Sequence, residues 1–159
     1  RGRGLRSSSV PKRLNLGCGN KILDAVNHDL HKHRAEVDVA WDLNMLPWPW
    51  ADGEFDEVFA FSVLEHLDLD LLASMNEVWR VTRPGGRLTV KLPYWRAAIS
   101  YADPTHRFTY DPQVFDTFDP GTERGKAYAF YTERKWRILK RTFVNEEKTS
   151  FTTSLEKMG

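Results

Sequence analysis

Three sets of polar or small residues stand where an apolar run ends. Gly17-Cys18-Gly19 follows Leu14-Asn15-Leu16, and Asp29-Leu30 follows Ala25-Val26-Asn27-His28. Ser62, Glu65 and His66 follow Val58-Phe59-Ala60-Phe61, with Val63 and Leu64 between them. A G-x-G after a strand lets a ligand lie against the backbone, because glycine adopts the turn and carries no Cβ. An acid after the next strand can accept both hydroxyls of a ribose, or can simply close a turn. Asp42-Leu43 ends a further apolar run, Val37-Asp38-Val39-Ala40-Trp41. In open parallel sheets ligands gather beyond the carboxyl ends of the strands, so these sets are candidates for one site.

A fifth set is different in kind. Asp103-Pro104-Thr105-His106-Arg107 lies among Tyr94, Trp95, Tyr101, Phe108 and Tyr110. Polar groups inside aromatic walls suit a pocket or a lid, although packing of a long loop would use the same residues. His106 is the natural base there, since its ordinary pKa lies near neutrality, and Asp103 is second.

The elements that must place these groups alternate. Short strands at 14–16, 25–28, 37–41 and 58–61 are too brief and too β-branched or aromatic for helices. Asp68 is an N-cap candidate for a helix from about 69 to 82, with Leu69, Leu72, Met75 and Trp79 at core spacing. Pro84-Gly85-Gly86 ends it and leads into a fifth strand, 87–93. Pro47-Trp48-Pro49-Trp50-Ala51-Asp52-Gly53 reads as a loop whose tryptophans pack over the sheet edge or a ligand. Pro112 opens a short helix over 112–118, residues 121–125 read as a loop, and 136–144 and 148–155 read as an antiparallel hairpin.

One connection is unusually short. Only nine residues separate Gly19 from Asp29, and they include the second strand. No helix of about three turns fits there. Without a helix N-terminus there is no dipole to hold a pyrophosphate, and no third glycine completes G-x-G-x-x-G. A nicotinamide-dependent reductase is therefore disfavoured.

The whole chain bounds these readings. At 159 residues it is large enough for one core, and 41% apolar with 13% aromatic residues argues against disorder. A net charge of +1 names no partner. Cys18 is the lone cysteine, so no cysteine-built zinc cluster and no internal disulfide are expected, and no metal site is expected. No apolar run matches a membrane span or a signal peptide, which makes a cytoplasmic location the default. Residues 1–12 form a flexible basic arm, with the domain running over 13–159. The arm is a solvated leader or, less commonly, a nucleic-acid tether. The chain opens on Arg1 rather than Met, as a piece of a longer protein would.

Taken together, the motifs resemble the class I S-adenosylmethionine-dependent methyltransferases, in a type 11-like form with a shortened first βα unit. The resemblance rests on Leu14 to Gly19, Asp29, Asp42-Leu43, Phe55-Asp56-Glu57-Val58 through Leu67, and Arg83-Pro84-Gly85-Gly86. It implies a three-layer Rossmann-like α/β fold with a mostly parallel seven-stranded sheet and a C-terminal antiparallel hairpin. It implies S-adenosylmethionine as cofactor, held by Gly17, Cys18, Gly19, Asp29, Leu30, Asp42, Leu43, Ser62, Val63 and His66. Within that set Asp29 would take the ribose, Asp42 with Leu43 the adenine, and Ser62, Val63 and His66 the sulfonium side. The implied reaction is methyl transfer to an O or N nucleophile of a small molecule, sugar, protein or RNA. The alternative is a non-catalytic, methyltransferase-like subunit that needs or regulates a partner.

Overall fold

A computed structural model describes residues 10–159. Most of the basic arm, residues 1–9, lies outside the described residues. Seven strands, β1 Arg13–Leu16, β2 Val26–Asp29, β3 Val39–Ala40, β4 Phe55–Phe61, β5 Thr82–Pro93, β6 Trp136–Phe143 and β7 Ser150–Lys157, form one sheet. Their spatial order is β3-β2-β1-β4-β5-β7-β6. The first five strands run parallel, and β7 pairs antiparallel with both β5 and β6. The expected α/β sheet and terminal hairpin are both present. Strand order reverses between β1 and β4, so a crevice opens beyond the carboxyl ends of those two strands.

The core follows from the strand pattern. Leu14, Leu16, Phe55, Val58, Ala60, Leu88, Val90 and Leu92 are fully buried in the central strands. Each large apolar side chain removed from water contributes about 1.5–3 kcal/mol. Helix α1, Leu71–Val81, covers one face with Leu71, Met75, Val78 and Val81. This corrects the expected helix in both start and register. The cap is Asp70, whose carboxylate accepts from the Ala73 N–H at 2.8 Å, rather than Asp68. Asn44 Oδ1 accepts from the Asp68 N–H at 2.8 Å and holds that residue outside the helix. Of the four residues expected in the core, Met75 is buried, while Leu69, Leu72 and Trp79 only flank it.

Five other elements differ from expectation. β2 includes Asp29 as its last residue, and β3 is only two residues long. β5 begins at Thr82, directly after α1, and Pro84-Gly85-Gly86 bulges out of it: Phe55 pairs with Thr82, yet Glu57 pairs with Arg87. Residues 123–125, within the stretch read as a loop, open a short helix, Glu123–Ala127, capped by Thr122. The final strand ends at Lys157 rather than Leu155. The 3-10 helix Pro112–Phe118 lies where the proline places it.

No helix joins β1 to β2. Two buried asparagines do the work of one by satisfying backbone groups. The Asn15 amide donates to Lys21 O at 2.8 Å and to Asn27 Oδ1 at 2.9 Å. Asn27 in turn accepts from the Leu23 N–H and donates to the Leu23 and Ala25 carbonyls. Lys12, the last residue of the expected arm, is tied down by Asp56 and Glu54 at the start of β4. Among the described residues no helix is long and apolar enough to cross a membrane.

Candidate functional site

The switch-point crevice is a cavity of about 480 Å³. Gly17, Gly19, Asp29, Leu30, Asp42, Leu43, Ser62, Val63 and His66 all line it. Strand ends far apart in sequence thus converge on one volume of the size that small-molecule sites occupy. Cys18 does not line it. Its side chain is buried, with Sγ 3.8 Å from Asp29 Oδ2, and burial followed by the Asp29 charge pushes the thiol's pKa up.

The glycine turn is fixed from two sides. Gly17 has φ +57°, and a Cβ there would stand 2.5 Å from Val63 Cγ2, so only glycine lets the β1 and β4 ends meet. Asp29 accepts the Gly19 N–H and the Leu30 N–H, each at 2.7 Å, which aims its carboxylate at the cavity mouth. Ser62 is a non-glycine residue at φ +55°, directly at the end of β4. Such strain persists where surrounding structure enforces it, and it clusters at functional sites.

His28, read from sequence only as part of a strand, holds the same turn. It is buried, its Nδ1 accepts the Gly17 N–H at 3.2 Å, and its Nε2 lies 2.8 Å from Trp41 O. The carbonyl can only accept, so Nε2 carries the proton and the ring is neutral. Burial lowers its pKa from the usual 6.5. Below pH 6.5 the unfolded chain therefore takes a proton that the folded one refuses, and stability falls as pH drops through that window. The expected slope from this one group is about 1.4 kcal/mol per pH unit until the folded pKa is reached. Urea denaturation of the parent and of His28→Gln across pH 7 to about 5 checks it. The difference between the two should shrink with acidification, and a constant difference would contradict a neutral His28.

A second cleft, of about 520 Å³, shares Ser62 and His66 with the first and adds Glu65, Lys91, Ile99, Asp103 and His106. The expected aromatic walls are absent from it. Tyr94 packs on Trp95 and Phe143, and the Trp95 indole donates to Asp111. Tyr101 and Phe108 instead line an adjoining hollow with Asp103, Pro104, His106 and Arg107, and Asp103 and His106 are common to that hollow and the cleft. The 94–110 loop is pinned over both cavities, because the Arg107 N–H donates to Glu65 O at 2.7 Å and Thr105 Oγ1 meets His66 Nδ1 at 2.7 Å. Thr105 and Arg107 consequently line the first cavity, where sequence reading placed nothing from this loop. Asp103 accepts the Thr105 N–H and hydroxyl, bonds that hold its carboxyl below the usual carboxylate range.

Glu65 is only 1% exposed, and its burial pushes the carboxyl up to about 7. Its position after β4 makes it a site candidate in the sequence, but its burial and its proximity to His106 are long-range facts.

Comparison with known proteins defines the class. A chain from the Haloferax volcanii complex between the Trm112 methyltransferase activator and a methyltransferase aligns with TM-score 0.64 and 11% identity, covering 94% of this chain and 83% of that one. A SAM-dependent methyltransferase from Thermotoga maritima aligns with TM-score 0.63 and 12% identity, covering 95% and 84%. The cyclase SpnF aligns with TM-score 0.62 and 14% identity, covering 93% and 74%. The fold is that of the class I S-adenosylmethionine-dependent methyltransferases. A family model described as a methyltransferase domain matches residues 14–90. No curated protein sequence matches the chain.

Proposed function

We propose that this chain binds S-adenosylmethionine in the first cavity and transfers its methyl group to an O or N nucleophile held in the second cleft. The observation that supports this most is the shared wall. Ser62 and His66 belong to both cavities, so a sulfonium on one side and a nucleophile on the other would meet across them. Methyl transfer is an in-line displacement, and holding the two reactants aligned can supply much of the rate. Gly17 and Gly19 would carry the methionine part, Asp29 and Leu30 the ribose, and Asp42 and Leu43 the adenine. A neutral ribose and a cationic sulfonium call for acids and carbonyls, and no phosphate-binding helix is required. His106 is the group we assign to the acceptor's proton. Asp103 is committed to Thr105, and its lowered pKa makes it the weaker base of the two.

The test is a turnover assay that follows release of S-adenosylhomocysteine with hydroxyl and amine acceptors. His106→Asn is expected to lower kcat by roughly 10²–10⁴ while leaving cofactor affinity unchanged. Full activity in that variant would reduce His106 to packing, and loss of cofactor binding would assign the loop to the cofactor.

One observation favours a second reading, a subunit that works only with a partner. No helix in the β1–β2 connection covers that side of the cavity, and the Haloferax volcanii similarity is to a chain solved with an activator. Turnover restored only by an added partner would select it. The basic residues at 124–141 give little support to a nucleic-acid partner. Arg141 pairs with Asp116, Arg137 with Glu156, and Arg134 donates to Asn76 O.

A further inference from the structure

We propose that Glu65, His66 and His106 bind a divalent cation of the zinc, cobalt or manganese type at the floor of the second cleft, where it takes an acceptor oxygen. One ligand atom from each of the three lies within 4.8 Å of the other two. The hydrogen bonds fix which atoms are free. Thr105 Oγ1 gives its proton to Asp103 at 2.6 Å, so it can only accept from His66 Nδ1. His106 Nδ1 faces the Ser100 carbonyl at 3.2 Å and must donate as well. Both imidazoles therefore present an Nε2 lone pair. That of His66 lies 3.8 Å from Glu65 Oε1, with no proton of its own to place between them.

Glu65 Oε2 completes the argument, being buried without a hydrogen-bond partner. Buried polar atoms left in that state need an explanation, and an ion is one. Lone pairs that converge while each ring N–H is held from behind form the arrangement that metal-binding histidines adopt. Two imidazoles and a carboxylate suit these metals and leave coordination positions open. Lys91 and Asp103 face the same cleft with opposite charges, so neither sign dominates the background.

This rests on the proposed function only for the cation's use. Bound to the cation, an acceptor hydroxyl would lose its proton to solvent water in the open cleft more readily, which selects oxygen over amine nucleophiles. With Nε2 on the cation and Nδ1 donating to the Ser100 carbonyl, His106 would act on kcat as a ligand and not as the base of the cation-free reading. Sequence spacing gives no sign of the set, because His106 is remote from Glu65-His66 along the chain.

The experiment is calorimetric titration of Zn²⁺ into chelator-treated full chain without cofactor, with S-adenosylhomocysteine titrated separately. One zinc per chain is expected. Glu65→Gln, His66→Asn and His106→Asn should each weaken binding by at least 10- to 100-fold. His31→Ala, at an exposed imidazole, should not. Should Glu65→Gln fail to fold, His66→Asn at the cleft rim decides. No binding by folded protein at millimolar zinc, or equal affinity in the variants, overturns the site. Loss of zinc binding alone leaves the methyltransferase reading standing, whereas absent S-adenosylhomocysteine binding would count against that reading itself.

Discussion

Replacing Arg80 by alanine is expected to cost the fold about 3–5 kcal/mol, although the residue lies outside both cavities. The Arg80 guanidinium donates to the Glu77 carboxylate at 2.6 Å, to Trp50 O at 2.8 Å, to Asp52 at 2.9 Å and to Trp48 O at 3.1 Å. Glu77 is buried and also accepts the Trp48 N–H at 2.8 Å. Removing the arginine would leave that carboxylate charged, buried and without its main partner. An ordinary domain is stable by only about 5–15 kcal/mol, so the loss would be large. It should also reach the site, since the Trp48 indole donates to Leu43 O on the cavity wall. Urea denaturation is the measurement, with Arg80→Met plus Glu77→Gln as the companion that restores part of the loss. A change below about 1 kcal/mol would mean that the network is worth no more than a surface ion pair.

The second large effect is on ligand binding. Asp29→Ala should weaken cofactor affinity by about 1.5–3 kcal/mol, the range for hydrogen bonds to a charged group. That corresponds to about 10- to 150-fold in Kd. The structure adds a reason beyond the ribose. Asp29 also holds the Gly19 and Leu30 N–H groups, so its loss would loosen the glycine turn. Asp29→Asn, which can still accept from one of them, should fall between the parent and Asp29→Ala. Unchanged affinity in Asp29→Ala would move the ribose contact elsewhere.

Which residues gather at the switch-point cavity was largely legible because strand ends announce themselves locally. An apolar run followed by glycine, an acid or a polar cluster needs no distant information to be read, and nine of ten such residues line one cavity. Cys18 was the exception. Position within a G-x-G does not reveal which way its middle side chain points, and this one is buried.

What failed was decided at long range. Asp68 and Asp70 are equally good caps by type, and Asn44 chooses between them from the far side of the Trp loop. Of the aromatics of 94–110, Tyr101 and Phe108 wall a hollow with Asp103 and His106, while Phe143 and Asp111 draw Tyr94 and Trp95 away. His28 looked like any strand residue until Gly17 and Trp41 were seen at its two nitrogens. Helix 123–127 follows a threonine cap whose hydroxyl accepts the Gly125 N–H, inside a stretch that glycines marked as loop.

The central claim is that the switch-point cavity takes an S-adenosyl ligand rather than a dinucleotide. Calorimetric titration of S-adenosylhomocysteine and of NADH into the same folded protein tests it most directly. The account predicts one S-adenosylhomocysteine site, weakened in Asp29→Ala, and no binding of NADH. NADH binding with no heat from millimolar S-adenosylhomocysteine would contradict it.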